Sequence, residues 1–88
     1  MVKRSLLIDE KDNVAVLLEN ASAKDLIEVA GKRIELREDI SFGHKVALCD
    51  LAAEDNVYKY GEEIGYMLKS IQKGGWVHNH NMGCRRGT

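Results

Sequence analysis

The sequence lacks proline entirely, carries only two cysteines, and has aromatic side chains at only 6% of its 88 positions. Without proline, the strong turn signals come from its eight glycines: Gly31, Gly43, Gly61, Gly65, Gly74, Gly75, Gly83 and Gly87. The two cysteines, Cys49 and Cys84, could form one bridge, but without a secretion signal or a dense cysteine framework a disulfide scaffold is not expected. They read as reduced thiols in a cytosolic protein, with Cys49, behind an apolar run, as a small core residue. Charge of neither sign dominates: 13 basic residues face 14 acidic ones, for a formal net charge of −1. No basic stripe is available to displace phosphate counterions, so a nucleic-acid partner is not expected, and Arg85-Arg86 is too short to supply one. The longest uninterrupted apolar run, Val14 to Leu18, falls far short of the roughly 20 residues of a membrane span. Only Leu6-Leu7-Ile8 follows the basic Met1-Val2-Lys3-Arg4, so no secretory h-region can be drawn and no membrane partner is expected.

What remains is a chain with 44% hydrophobic residues, ordinary for a globular protein and too rich for disorder. The length allows one domain, and at this size roughly 60–65% of the unfolded surface can be buried. Such a domain has little room for a complete active site with its supporting residues, so catalytic chemistry would call for a partner chain.

Between the glycines lie strand-length segments. Val14-Ala15-Val16-Leu17-Leu18 suits a strand covered on both faces. Leu26-Ile27-Glu28-Val29 and Arg33-Ile34-Glu35-Leu36-Arg37, separated by Gly31, predict a hairpin, since Ile34 and Leu36 alternate with charges. A helix over 23–36 competes, because Leu26, Ala30 and Ile34 share a helical face. Gly31 and Val29 weigh against it. Lys45-Val46-Ala47-Leu48, Val57-Tyr58-Lys59-Tyr60 and Trp76-Val77-His78-Asn79-His80 are further strand predictions. Glu63 to Gln72 reads as a helical turn or a bent strand. Residues 82–88 read as a frayed tail, and no linker, repeat or low-complexity stretch is expected. The sum is one mainly-β domain, 1–88, with its core at about 12–81, short strands and at most one or two helical turns.

Three stretches can carry chemistry. On a strand, Trp76, His78 and His80 would project from one face, where two imidazoles can reach one metal ion or a substrate carboxylate. A pair of hydrogen-bonded surface histidines would give the same spacing. In Phe42-Gly43-His44-Lys45, a glycine turn exposes an imidazole beside an ammonium, a pairing suited to an anionic substrate, although a solvated turn is the simpler reading. In the third stretch Tyr60 could donate to a ligand or simply pack, whereas the adjacent Glu62 and Glu63 diverge and read as solvated.

Taken together, Glu38-Asp39-Ile40, Gly43-His44-Lys45-Val46-Ala47-Leu48, Val57, Lys59-Tyr60-Gly61, Ile64-Gly65, Ile71, Gly74 and Trp76-Val77-His78-Asn79-His80-Asn81 resemble the SAF-type β-clip domain of altronate and galactarate dehydratases. In some members this domain is a separate small subunit, as in sulfolactate sulfo-lyase. The resemblance runs from about Asp12 to Asn81 and departs from the family at Ser41 and Met67. It implies a β-clip fold and a lyase component eliminating water, or sulfite, from a small anionic hydroxy acid with a larger catalytic subunit. By the same resemblance His44 and Lys45 would be catalytic, and His78, His80, Asn81 and Tyr60 would bind substrate. His78 and His80 would also be candidate metal contacts, with a divalent ion (Fe2+ or Mn2+) held mainly by the partner subunit. The alternatives are a non-catalytic β-clip module that binds a sugar acid or mediates subunit contact, and a metal-handling protein built on His78 and His80.

Overall fold

Alternation and glycine turns do become hairpins. The computed structural model describes residues 2–84. Among the described residues there are ten short strands and no helix: β1 (Val2–Lys3), β2 (Ser5–Leu6), β3 (Val14–Leu17), β4 (Leu26–Val29), β5 (Lys32–Glu35), β6 (Lys45–Ala47), β7 (Asn56–Lys59), β8 (Glu62–Met67), β9 (Trp76–Val77) and β10 (Met82–Gly83). A central antiparallel sheet runs β2-β3-β6-β9. One hairpin, β4–β5, takes β1 as a parallel neighbour, and the other, β7–β8, takes β10 as an antiparallel one.

The central strands divide two small cores. Successive side chains of a strand leave opposite faces, and along β3 and β6 each face is buried. Ala15, Leu17 and Val46 join Ile27, Ile34, Leu36 and Ile40 on one side. Val14 and Ala47 join Leu51, Val57, Met67 and Val77 on the other. This is why Val14 to Leu17 reads as a continuous apolar run rather than an alternating one.

The two cores belong to two copies of one structural plan, which corrects the expectation of no repeat. Ala21 bridges Ile40 in the first copy, and Leu51 bridges Ile71 in the second. Asp25 accepts the Ser22 N–H at 2.8 Å, and Asp55, 30 positions later, accepts the Ala52 N–H at 2.8 Å. The hairpin turns are Ala30-Gly31 and Tyr60-Gly61, with φ of +52° and +78° in the first and +56° and +78° in the second. Asn20 caps the Phe42 N–H and Asp50 the Lys73 N–H, both at 2.8 Å. A bulge between Val57 and Tyr58 shifts the second hairpin's register by one residue, so that Gly43 corresponds to Gly74, 31 positions on. Side-chain identity hides this relationship because most paired positions keep only backbone conformation.

The 26–36 segment is the expected hairpin and not the competing helix, and of the two readings for 63–72 the strand holds over β8. Several further expectations change. Strand β9 stops at Val77, and His78 to Asn81 form a turn instead of extending it. Met82 and Gly83 are paired with Met67 and Tyr66 rather than frayed, and β1 and β2 bring the segment before Asp12 into the sheets. Cys49 is exposed, because the apolar run ends at the turn where it sits. Arg85-Arg86 and the rest of the predicted tail after Cys84 lie outside the described residues.

Candidate functional site

The β6–β9 pairing builds the site. Lys45 lies opposite Val77 and Val46 opposite Trp76, so the next step of the register sets His44 opposite His78. Opposed residues of antiparallel strands share a face, and the His44 and His78 ring centroids are 4.9 Å apart. Trp76, diagonal to His44, donates its indole N–H to His44 Nδ1 at 3.0 Å. The His78 ring stacks on the indole with an interplanar angle of 12° at 5.3 Å, and His80 meets it at 4.8 Å.

A turn explains how both histidines reach one indole without a strand. Asn81 Oδ1 accepts the His78 N–H at 2.9 Å, while its Nδ2 donates to the Trp76 carbonyl at 2.9 Å. The chain therefore folds back over Trp76 and returns both rings to it. The expected grouping of Trp76, His78 and His80 is seen: the strand register carries it as far as His78, and the turn, not a continued strand, returns His80. Asn81 is buried with both ends of its amide engaged on the backbone. Glu38 accepts the Trp76 N–H at 2.9 Å, a support that sequence reading did not single out.

Lys45 stands apart from the rings. Strand alternation sends its side chain to the face opposite His44. Its ammonium is half-buried, and burial followed by the nearby Lys59 lowers its pKa from the ordinary lysine value. Tyr60 occupies the β7–β8 turn, where its N–H donates to Asp12 Oδ2 at 2.9 Å and the Lys59 ammonium lies 4.9 Å from its ring centroid. Among the described residues no ring contact joins Tyr60 to the imidazole cluster.

The pKa of His78 is lowered first by desolvation and then by Coulombic contributions from His44, Lys45 and His80. The carboxylate nearest Trp76, that of Glu38, is directed at a backbone N–H rather than at a ring. Among the described residues no three His, Cys, Asp or Glu side chains form a group that could hold a metal ion. With His44 Nδ1 engaged by the indole, His78 and His80 could form at most part of a coordination sphere. A groove of about 650 Å³ bounded by Arg37, Glu38, Asp50, Asp55 and Gln72 contains none of these rings. His44 and His78 are half-buried and His80 is exposed, so the cluster stands on an open surface.

Residues 3–85 match the altronate/galactarate dehydratase SAF domain. The chain belongs to this family. The SAF chain is 46% identical over 70 residues to altronate dehydratase of Escherichia coli, covering 80% of itself but only 14% of that relative. It is 39% identical over 74 residues to the galactarate dehydratase (L-threo-forming) of the same organism, and spans 13% of it. With (2R)-sulfolactate sulfo-lyase subunit alpha of Paracoccus pantotrophus it is 48% identical over 54 residues, which is 61% of this chain and 81% of that subunit. A SAF domain thus exists both as a small part of a long chain and as most of a short subunit, and the mainly-β architecture with no helix among the described residues agrees with the family.

Proposed function

We propose that this SAF chain is the small subunit, or free-standing N-terminal domain equivalent, of a dehydratase-type lyase that eliminates water or sulfite from a hydroxy acid. The reading is supported by the small-subunit relative, of which the chain covers 81%. The observation that carries it is the pair of imidazoles, His44 and His78, with ring centroids 4.9 Å apart and both half-buried rather than enclosed. Phe42, 63% exposed and two residues before His44, offers an apolar edge for a second chain to cover.

The chemistry needs what the cluster offers. Removing the proton beside a carboxylate concentrates negative charge on the substrate, which fixed cations and hydrogen-bond donors stabilise. The leaving group on the next carbon departs more readily with a proton or hydrogen bond on its oxygen. His44, His78 and His80 face the substrate anion, Lys45 supplies positive potential from behind the sheet, and Asn81 holds the turn that aims His78. The larger subunit supplies the rest of the pocket, together with most ligands of any divalent iron or manganese ion.

The test is reconstitution with the larger chain and assay on altronate, galactarate and sulfolactate. His44→Ala and His78→Ala should each lower turnover by about 10²–10³-fold, the range for losing one donor aimed at developing charge, with assembly intact by gel filtration. Turnover equal to that of the unaltered complex would remove the cluster from the reaction. Binding of a sugar acid by the isolated chain, with no lyase activity in any reconstituted complex, would make it a binding module instead.

A further inference from the structure

We infer that Trp76 is a positioning residue that holds the neutral His44 ring with its proton on Nε2, so that His44 meets the substrate as a hydrogen-bond donor and not as a base. The inference deepens the proposed function and rests on its placing of His44 at the substrate. Its basis is the direction of one hydrogen bond. The indole Nε1–H only donates. At 3.0 Å from His44 Nδ1 it requires a lone pair there, and a neutral imidazole with a lone pair on Nδ1 carries its hydrogen on Nε2. A serine, asparagine or tyrosine partner would leave the tautomer open, because each can accept as well as donate.

The indole is itself held from several sides. Its backbone N–H binds Glu38, its carbonyl receives the Asn81 amide, and its face is stacked by His78 at 12°. Among the described residues this is the one hydrogen bond made by an imidazole ring, so His44 is the histidine whose tautomer the fold selects. The Nε2–H left by that bond suits a substrate atom that only accepts, such as a carboxylate oxygen or an oxygen on which negative charge grows. A neutral imidazole donating in this way polarises the oxygen without surrendering its proton. Proton abstraction then belongs to a different group.

The tautomer can be read directly on the full chain. Two-bond proton–nitrogen correlation spectra of ¹⁵N-histidine-labelled protein, at a pH where His44 is neutral, should show Nε2 protonated and Nδ1 bare. In Trp76→Phe the same ring should show a mixture of the two forms. A proton on Nδ1 in the unaltered chain, or an unchanged tautomer in Trp76→Phe, would overturn the inference. Should Trp76→Phe fail to fold, the indole N–H of this single-tryptophan chain gives a second measurement. In His44→Ala its hydrogen exchange should quicken by about tenfold, as expected for loss of one hydrogen bond, and an unchanged rate would count against the geometry. In the reconstituted complex, Trp76→Phe should lower kcat more than it alters KM. A shifted tautomer with unaltered kcat would overturn both the positioning role and the reading of His44 as a site residue, while leaving the tautomer assignment in place.

Discussion

Replacing Asn81 by alanine tests how the site is held. The substitution leaves the His78 N–H and the Trp76 carbonyl without the amide that pairs with both, each at 2.9 Å. A partly buried backbone group deprived of its partner costs about 1 kcal/mol, so the loss should be about 2 kcal/mol. For a domain of this length 1 kcal/mol moves the melting midpoint by roughly 4–8 °C, which places Asn81→Ala about 8–16 °C below the parent chain. Thermal melts followed by circular dichroism and by the fluorescence of Trp76 should coincide if unfolding is two-state. Asn81→Asp is the informative companion. An aspartate does the corresponding job at Asp25 and Asp55, accepting the Ser22 and Ala52 N–H groups, but it cannot donate to the Trp76 carbonyl. Its midpoint should fall between those of the parent and Asn81→Ala. An alanine variant melting within about 2 °C of the parent would show that the amide does not hold the turn.

Two other outcomes follow from the backbone. Burial opposes ionisation of Asp12, but N–H groups of Gly61, Tyr60, Asp9 and Ile8 outweigh it and bring its pKa below the ordinary value of 3.8. The folded state therefore binds this proton less readily than the unfolded chain, so the stabilisation is present above pH 3.8 and is lost as pH falls through the folded pKa. Urea titrations from pH 7 downward should show that acid loss in the parent and a shallower one in Asp12→Ala; parallel acid limbs would refute the assignment. Gly31 and Gly74 both have positive φ, at +78° and +90°, but an added Cβ at Gly31 meets nothing within 4 Å, whereas at Gly74 it runs into the Glu35 carbonyl. Gly31→Ala should cost roughly 1–2 kcal/mol, the penalty of an L residue in the left-handed region, and Gly74→Ala appreciably more. Equal urea midpoints would contradict the steric argument.

Much of the fold was legible because its signals are local. Val14 to Leu17 advertised a doubly covered strand, and the charged alternation around Ile34 chose the hairpin over the helix. The grouping of Trp76, His78 and His80 was legible from spacing, but the β6–β9 pairing that brings His44 to them joins distant segments and leaves no local signal. The turn that returns His80 to the indole was hidden too. A turn closed by a side chain three residues ahead looks, in sequence, like the end of a strand, so the engagement of Asn81 was hidden. The internal duplication was missed for a related reason. Its invariants are backbone angles and caps, visible only as Asp25 with Asp55, Gly31 with Gly61 and Gly43 with Gly74, separated first by 30 and then by 31 positions. The one-residue bulge between Val57 and Tyr58 breaks any search for a fixed period. Lys45 is a different case: next to His44 in sequence, it pairs with Val77 and has Lys59 as a charged neighbour, a setting that adjacency alone does not reveal.

The duplicated plan also places Gly75 where the first copy has His44, directly after a glycine of positive φ. A Cβ built on Gly75 would lie 2.7 Å from Ile71 Cγ1. The second corner is thus an unfurnished twin of the first, shut by the Ile71 side chain and by the Gln72 carbonyl at 3.0 Å. Ile71→Ala would clear the first obstacle and leave the backbone as the second, so evolution or design can furnish this corner only by moving the chain itself.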